Sequence, residues 1–237
     1  MYVYKNLLAA FTLESAKDAP TRAADTAIKA KLGDKAKQGW SQETQDVARG
    51  EYTAAGAEFF TVLTGEMKNV QLSQTSDGKT VHQKLWITLG HNGTDIIISL
   101  DRDTELAQRL LCKLVNVVPG TVVTLETFAE KVARGGRTFV NHAPKLKTDG
   151  KEIPAEPGHF AAAAEKARTA VETLRPSLVA AGLGGNPDEM KKMLERTRIG
   201  AKNTYFAALA ERVEAKFAGA NDGTDTQPEG EKENAHA

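Results

Sequence analysis

Between Phe59 and Leu146 the chain changes its hydrophobic period twice, and this restricts the fold more than any other feature. Val81, Leu85, Ile87 and Leu89 share one parity, and His82, Lys84, Trp86 and Thr88 share the other. Side chains of a strand point alternately to opposite faces, so this pattern predicts a strand with an aliphatic inner face and a polar outer face. His91-Asn92-Gly93 predicts a tight turn, because Asn-Gly suits positive φ. Residues 95–100, with Ile96, Ile97 and Ile98, predict the next strand. Upstream, FFTVLTGEMKNVQL, residues 59–72, reads as one long strand whose alternation breaks near Gly65, where a bulge or sharp bend fits. Asp77-Gly78 makes the intervening turn. The period then becomes helical through Leu106, Leu110, Leu114 and Val117. Asp103 is placed to cap that helix, Glu105 suits its first turn and Pro119-Gly120 ends it. Residues 121–128 and 138–146 return to strand around the loop Arg134-Gly135-Gly136-Arg137.

The flanks have weaker patterns. Residues 1–54 form a mixed, partly ordered N-terminal segment, with an edge strand or short helix over 2–13 and an Ala- and Lys-rich helix over 21–32. Residues 151–218 read as a helical extension. Its first helix, over 158–181, is interrupted by Pro176. A break at 182–185 follows, and Asn186 caps a second helix with Pro187 in its first turn. The stripe Met190, Leu194, Ala201, Phe206, Leu209, Val213 and Phe217 gives that helix a face to pack on the first helix, on the strands or on another protomer. Residues 219–237 are small, polar and predicted to be disordered.

Strand, strand, strand, helix, strand, strand over residues 55–150 is the element order of the OB-fold, a five-stranded Greek-key β-barrel with a helix between strands three and four. A long, bent first strand fits, because one strand must serve both sheets of a small barrel. In element order and surface chemistry the segment resembles the OB-fold single-stranded DNA-binding proteins of bacteriophages. The resemblance implies an α+β chain made of an OB-like barrel and a helical C-terminal extension. It also implies sequence-independent binding of single-stranded DNA in phage-type DNA replication or recombination, within the host-cell cytoplasm.

Binding a single strand requires cations along the phosphates and flat side chains on which bases stack. His82, Lys84 and Trp86 offer both on one strand face, and Lys68 on the bent first strand faces the same groove. A second group lies in TFAEKVARGGRTFVNHAPKLK, residues 127–147. There Lys131, Arg134, Arg137, Lys145 and Lys147 are interleaved with Phe128, Phe139 and His142, and Glu130 is the single acid before Lys147. In the OB-fold this segment is the loop that lines the groove. Arg109 and Lys113, on the helix, read as solvated.

Charge and cysteine content set limits on the function. Lys plus Arg equals Asp plus Glu at 31 each, which excludes a histone-like binder driven by bulk charge. The balance hides an asymmetry, because Asp222, Asp225, Glu229, Glu231 and Glu233 face only Lys232 in the final segment. The resemblance implies that such an acidic tail competes with the polyanion or docks replication and recombination proteins, although this one ends in Asn234-Ala235-His236-Ala237 without a terminal aromatic. The single cysteine, Cys112, excludes an internal disulfide and reads as a buried structural thiol in a reducing cytosol. Neither a signal peptide nor an apolar run long enough to span a bilayer is present, so a cytoplasmic protein is expected.

The sequence has no phosphate-binding glycine loop, nucleophile elbow or His-Glu-x-x-His, so neither enzymatic activity nor a cofactor is expected. One rival reading is a metal-dependent nuclease using Asp101, Asp103 and Glu105, residues that also suit a strand-to-helix junction. The other is a non-enzymatic interaction module that oligomerises through its C-terminal helices, with Trp86 buried.

Overall fold

The structure, a computed structural model, describes residues 1–14, 19–76, 78 and 80–221, and for Arg134, Arg137 and Asn221 the backbone alone. The acidic tail from Asp222 onward and Asp77 of the expected turn lie outside the described residues. The strands are β1 (Tyr2–Lys5), β2 (Ala10–Leu13), β3 (Phe59–Phe60), β4 (Val62–Ser76), β5 (Val81–His91), β6 (Thr94–Asp101), β7 (Val122–Arg134), β8 (Arg137–Thr148) and β9 (Lys151–Glu152). The helices are α1 (Ala19–Leu32), α2 (Gln42–Ala54), α3 (Glu105–Leu114), α4 (His159–Ala180) and α5 (Pro187–Asn221).

The alternation has the predicted effect from Leu85 onward, whereas Val81, at the start of the strand, is 57% exposed. Leu85, Ile87 and Leu89 of β5 are buried, and the intervening residues are half-buried. Asn92 and Gly93 take φ of 49° and 76° in the two-residue turn to β6, and Gly135 and Gly136 take 56° and 73° between β7 and β8. Thr104, rather than Asp103, caps α3 by accepting from the Ala107 N–H, while Asp103 pairs with Arg102. Asn186 caps α5 as expected, its Oδ1 accepting from the Glu189 N–H at 3.2 Å. Pro176 does not interrupt α4; the carbonyl that it leaves without a donor belongs to exposed Glu172.

The five-stranded Greek-key barrel is not formed. The described strands make one open, mixed sheet of nine, in the order β3-β2-β1-β6-β5-β4-β7-β8-β9. Closing β6-β5-β4-β7-β8 into a barrel requires β6 to pair with β8. The free edge of β6 is instead taken in parallel by β1, with Tyr2 opposite Ile98 and Val3 opposite Ser99. The N-terminal hairpin therefore extends the sheet where a barrel would close. The sheet is strongly coiled, because its edge strand β3 runs through the single residue Thr61 into the interior strand β4.

Strand β4 serves two ladders. Residues 62–66 pair with β7 and residues 66–76 with β5, with a register shift between Met67 and Asn69. The break lies just beyond Gly65, which supplies the close approach. A Cβ on Gly65 would stand 2.7 Å from the Gly90 carbonyl oxygen and 2.9 Å from Leu89 Cβ. Both neighbours are fixed, one by the backbone and one by the core, so the strands would have to part. Gly65→Ala is expected to lose about 1–3 kcal/mol of stability, seen as a lower urea midpoint with the slope unchanged.

The main core lies between the inner sheet face, α3 and the C-terminal half of α5, with Leu85, Ile98, Leu110, Phe206 and Phe217 almost fully buried. Lys216 of α5 donates to the carbonyls of Val115 and Val117 at the C-terminal end of α3, where a cation also meets the helix dipole favourably. Glu214 accepts from the Leu72 N–H of β4 at 2.8 Å. A smaller cluster packs α1 and α2 on the β1–β2 hairpin through Leu8, Ala24, Ile28 and Tyr52. No described helix is long and apolar enough to cross a membrane.

Candidate nucleic-acid interface

The register places a row of polar side chains beside Trp86 on the outer sheet face. Asn69, Gln71, Ser73 and Thr75 of β4 stand opposite Thr88, Trp86, Lys84 and His82 of β5. On the other flank, β6 places Ile97, Ser99 and Asp101 opposite Thr88, Trp86 and Lys84. The row on β4 was missed in the sequence, although polar residues at a period of two signal it. Trp86 is half-buried, and its Nε1 is buried without a hydrogen-bond partner among the described residues. Buried indole N–H groups ordinarily find an acceptor, and leaving one unpaired costs free energy.

The predicted cations beside it are restrained. Lys84 Nζ lies 2.5 Å from Asp101, with 18% of its side chain exposed. Lys68 is in the bulge; its stem lies against Gly90, where a Cβ would meet its Cε, and its Nζ is 2.7 Å from Asp95. His82 is half-buried opposite Thr75. The exposed Lys68–Asp95 pair contributes little to stability, so a phosphate oxygen can replace its carboxylate without loosening the fold.

The β7–β8 hairpin carries the second group on the same outer face. Val62 of β4 stands opposite Glu126, and Thr64 hydrogen-bonds Thr124 at 3.0 Å. Lys145 is opposite Glu126 and Lys147 opposite Thr124. Lys145 Nζ sits 5.1 Å from the ring centre of Phe128, and Lys147 is held 2.5 Å from Glu126. Phe139 is 49% exposed near the tip; Lys131, opposite Val140, is not on this face but on the parity of Ala129 and His142, where it is exposed without an ion pair among the described residues. The side chains of Arg134 and Arg137, at the tip, lie outside the described residues. The structure thus places Lys68, Lys84, Trp86, His82, Phe128, Phe139, Lys145 and Lys147 on one face of one sheet.

His142, read in the sequence among the hairpin cations, turns the other way. It is opposite Ala129 and shares the inward parity of Pro144 and Leu146. Its Nδ1 is hydrogen-bonded to the Tyr4 hydroxyl at 2.8 Å, tying the N-terminal hairpin to β8 where no ladder joins them. Burial holds the imidazole below its ordinary value of 6.5, against a weaker upward pull from Glu105. The unfolded chain therefore takes up a proton at a pH where the folded chain does not, so stability falls as the pH drops below about 6.5. The urea midpoint should fall between about pH 7 and about pH 5, and by less in His142→Gln. An equal fall in both proteins counts against the latch.

The three carboxylates of the nuclease reading each face a cation, Asp101 with Lys84, Asp103 with Arg102 and Glu105 with Arg109. Among the described residues no group of three or more His, Cys, Asp and Glu is placed to hold a metal ion. The chain matches no protein-family model, no curated protein and no solved structure.

Proposed function

We propose that this protein binds single-stranded DNA without regard to sequence, along the outer face of the sheet, and covers exposed strands in phage-type replication or recombination. The observation that supports this most is Trp86, a half-buried indole on the outer sheet face, set among Asn69, Gln71, Ser73 and Thr75 with restrained cations on either side. Stacking on an indole is sequence-tolerant, because every base has a π-face. The hydroxyls and amides around it are short-range partners for sugar and phosphate oxygens. A duplex hides its base faces and has little to offer the indole. Most of these cations are already paired, so the reading needs only a few phosphate contacts and a modest salt slope.

Retention of a labelled oligo-dT strand, and of a duplex of equal length, tests this at about 50 mM and 200 mM salt. The strand should be held in preference to the duplex. Its affinity should fall with a logarithmic slope of about −0.7 for each phosphate neutralised. Failure to retain the strand at the lower salt defeats the proposal.

A further inference from the structure

A cleft of about 400 Å³ opens between α3, the β7–β8 hairpin and the first turn of α4. That is near the small end of the ~300–1,000 Å³ of small-ligand sites, too small for a helix or a folded partner. Two aromatic rings line it, Phe128 from the hairpin and Phe160 from α4. Each carries a cation. Lys145 lies over Phe128, and Arg109 lies over Phe160 with its Cζ 5.8 Å from the ring centre. Phe160 packs on Phe206, with ring centres 5.1 Å apart, yet stays 38% exposed.

Charge decides what group fits. Lys113 is occupied by Glu152 at 2.6 Å and by the Ile153 carbonyl at 3.1 Å, and Arg109 is held by Glu105 at 2.6 Å. Glu130 lines the cleft and makes no ion pair among the described residues. A phosphate entering here would find Arg109 and Lys113 already paired and would meet the Glu130 carboxylate, with Lys145 at the rim the one lining cation without an ion pair among the described residues. A neutral flat ring would meet the Arg109 guanidinium plane, a phenyl ring from which Lys145 can move out to solvent, and a hydrogen-bond acceptor.

We infer that this cleft receives one base of the bound strand, stacked on Phe128 or Phe160, with the neighbouring phosphates outside on Lys145 and Lys147. The inference rests on the single-strand reading and extends its path. Phe128 lies two residues along β7 from Glu126, on the face that continues through β4 to Trp86. The strand would cross the sheet and end in the cleft, so Arg109 and Phe160, on two different helices, join the binding residues.

An abasic scan tests this. Oligo-dT strands that each lack one base are titrated against the parent protein, Phe160→Ala and Arg109→Gln. At one position the missing base should weaken parent binding roughly tenfold. The same strand should lose nothing more in Phe160→Ala. Arg109→Gln should show coupling at that same position with a smaller loss, and it leaves the Phe160–Phe206 packing intact if Phe160→Ala fails to fold. If the parent binds the intact strand but no abasic position couples to either variant, the cleft is not a base site and the single-strand reading stands. If the parent does not bind the intact strand, that reading fails and takes this inference with it.

Discussion

Trp86→Ala is expected to weaken binding of a single strand by about 1–3 kcal/mol, roughly 5- to 150-fold. The loss is that of the stacking surface, since the indole is the widest ring on the outer face of β5. Trp86→Phe keeps a smaller ring, and its affinity should fall between parent and alanine. Fluorescence offers a second readout. Trp86 and Trp40 are the two tryptophans, and Trp40 precedes α2 and belongs to none of β4, β5 and β6. Oligo-dT should quench parent emission in a salt-sensitive way, and the emission left in Trp86→Ala should not respond. Unchanged affinity in Trp86→Ala, with parent-like urea unfolding, would take the indole out of the interface.

The sequence revealed the faces of strands better than their neighbours. Parity alone put Trp86, Lys84 and His82 opposite Leu85 and Ile87, and the register agrees. The same parity, applied to β8, would have turned His142 inward with Leu146 and kept Lys145 and Lys147 outside. Interleaving of rings and cations along the segment hid that distinction. The partner of β6 was not legible. Its neighbour β1 is four residues long, lies more than ninety residues away in the chain and pairs in parallel, so no local turn announces the pairing. That one pairing separates the nine-stranded open sheet from the expected barrel. Helix α2 was missed despite Ser41 and Thr44, which cap each other's backbone N–H groups. Arg109 and Phe160 could not be linked from the sequence, because their contact exists only once α4 packs beside α3.

Phe217→Ala should cost about 3–5 kcal/mol, a large part of the ~5–15 kcal/mol that holds a typical domain folded. Phe217 is 0% exposed in the main core, with Phe206, Leu209 and Val213 on the same helix. Removing its ring loses the burial energy and leaves a cavity that Lys216 and Glu214 resist closing, because they anchor α5 to the end of α3 and to β4. Ile199→Ala, at a 48% exposed site on the same helix, should change stability little. The contrast bears on the oligomerisation reading. That reading needs the apolar stripe of α5 free for a second protomer, yet from Phe206 to Phe217 the stripe is used within the chain's own core. Unfolding midpoints of the parent and of Phe217→Ala should therefore be independent of protein concentration. A midpoint that rises with concentration in the parent and ceases to do so in Ile199→Ala would instead place a protomer contact on the exposed half of α5.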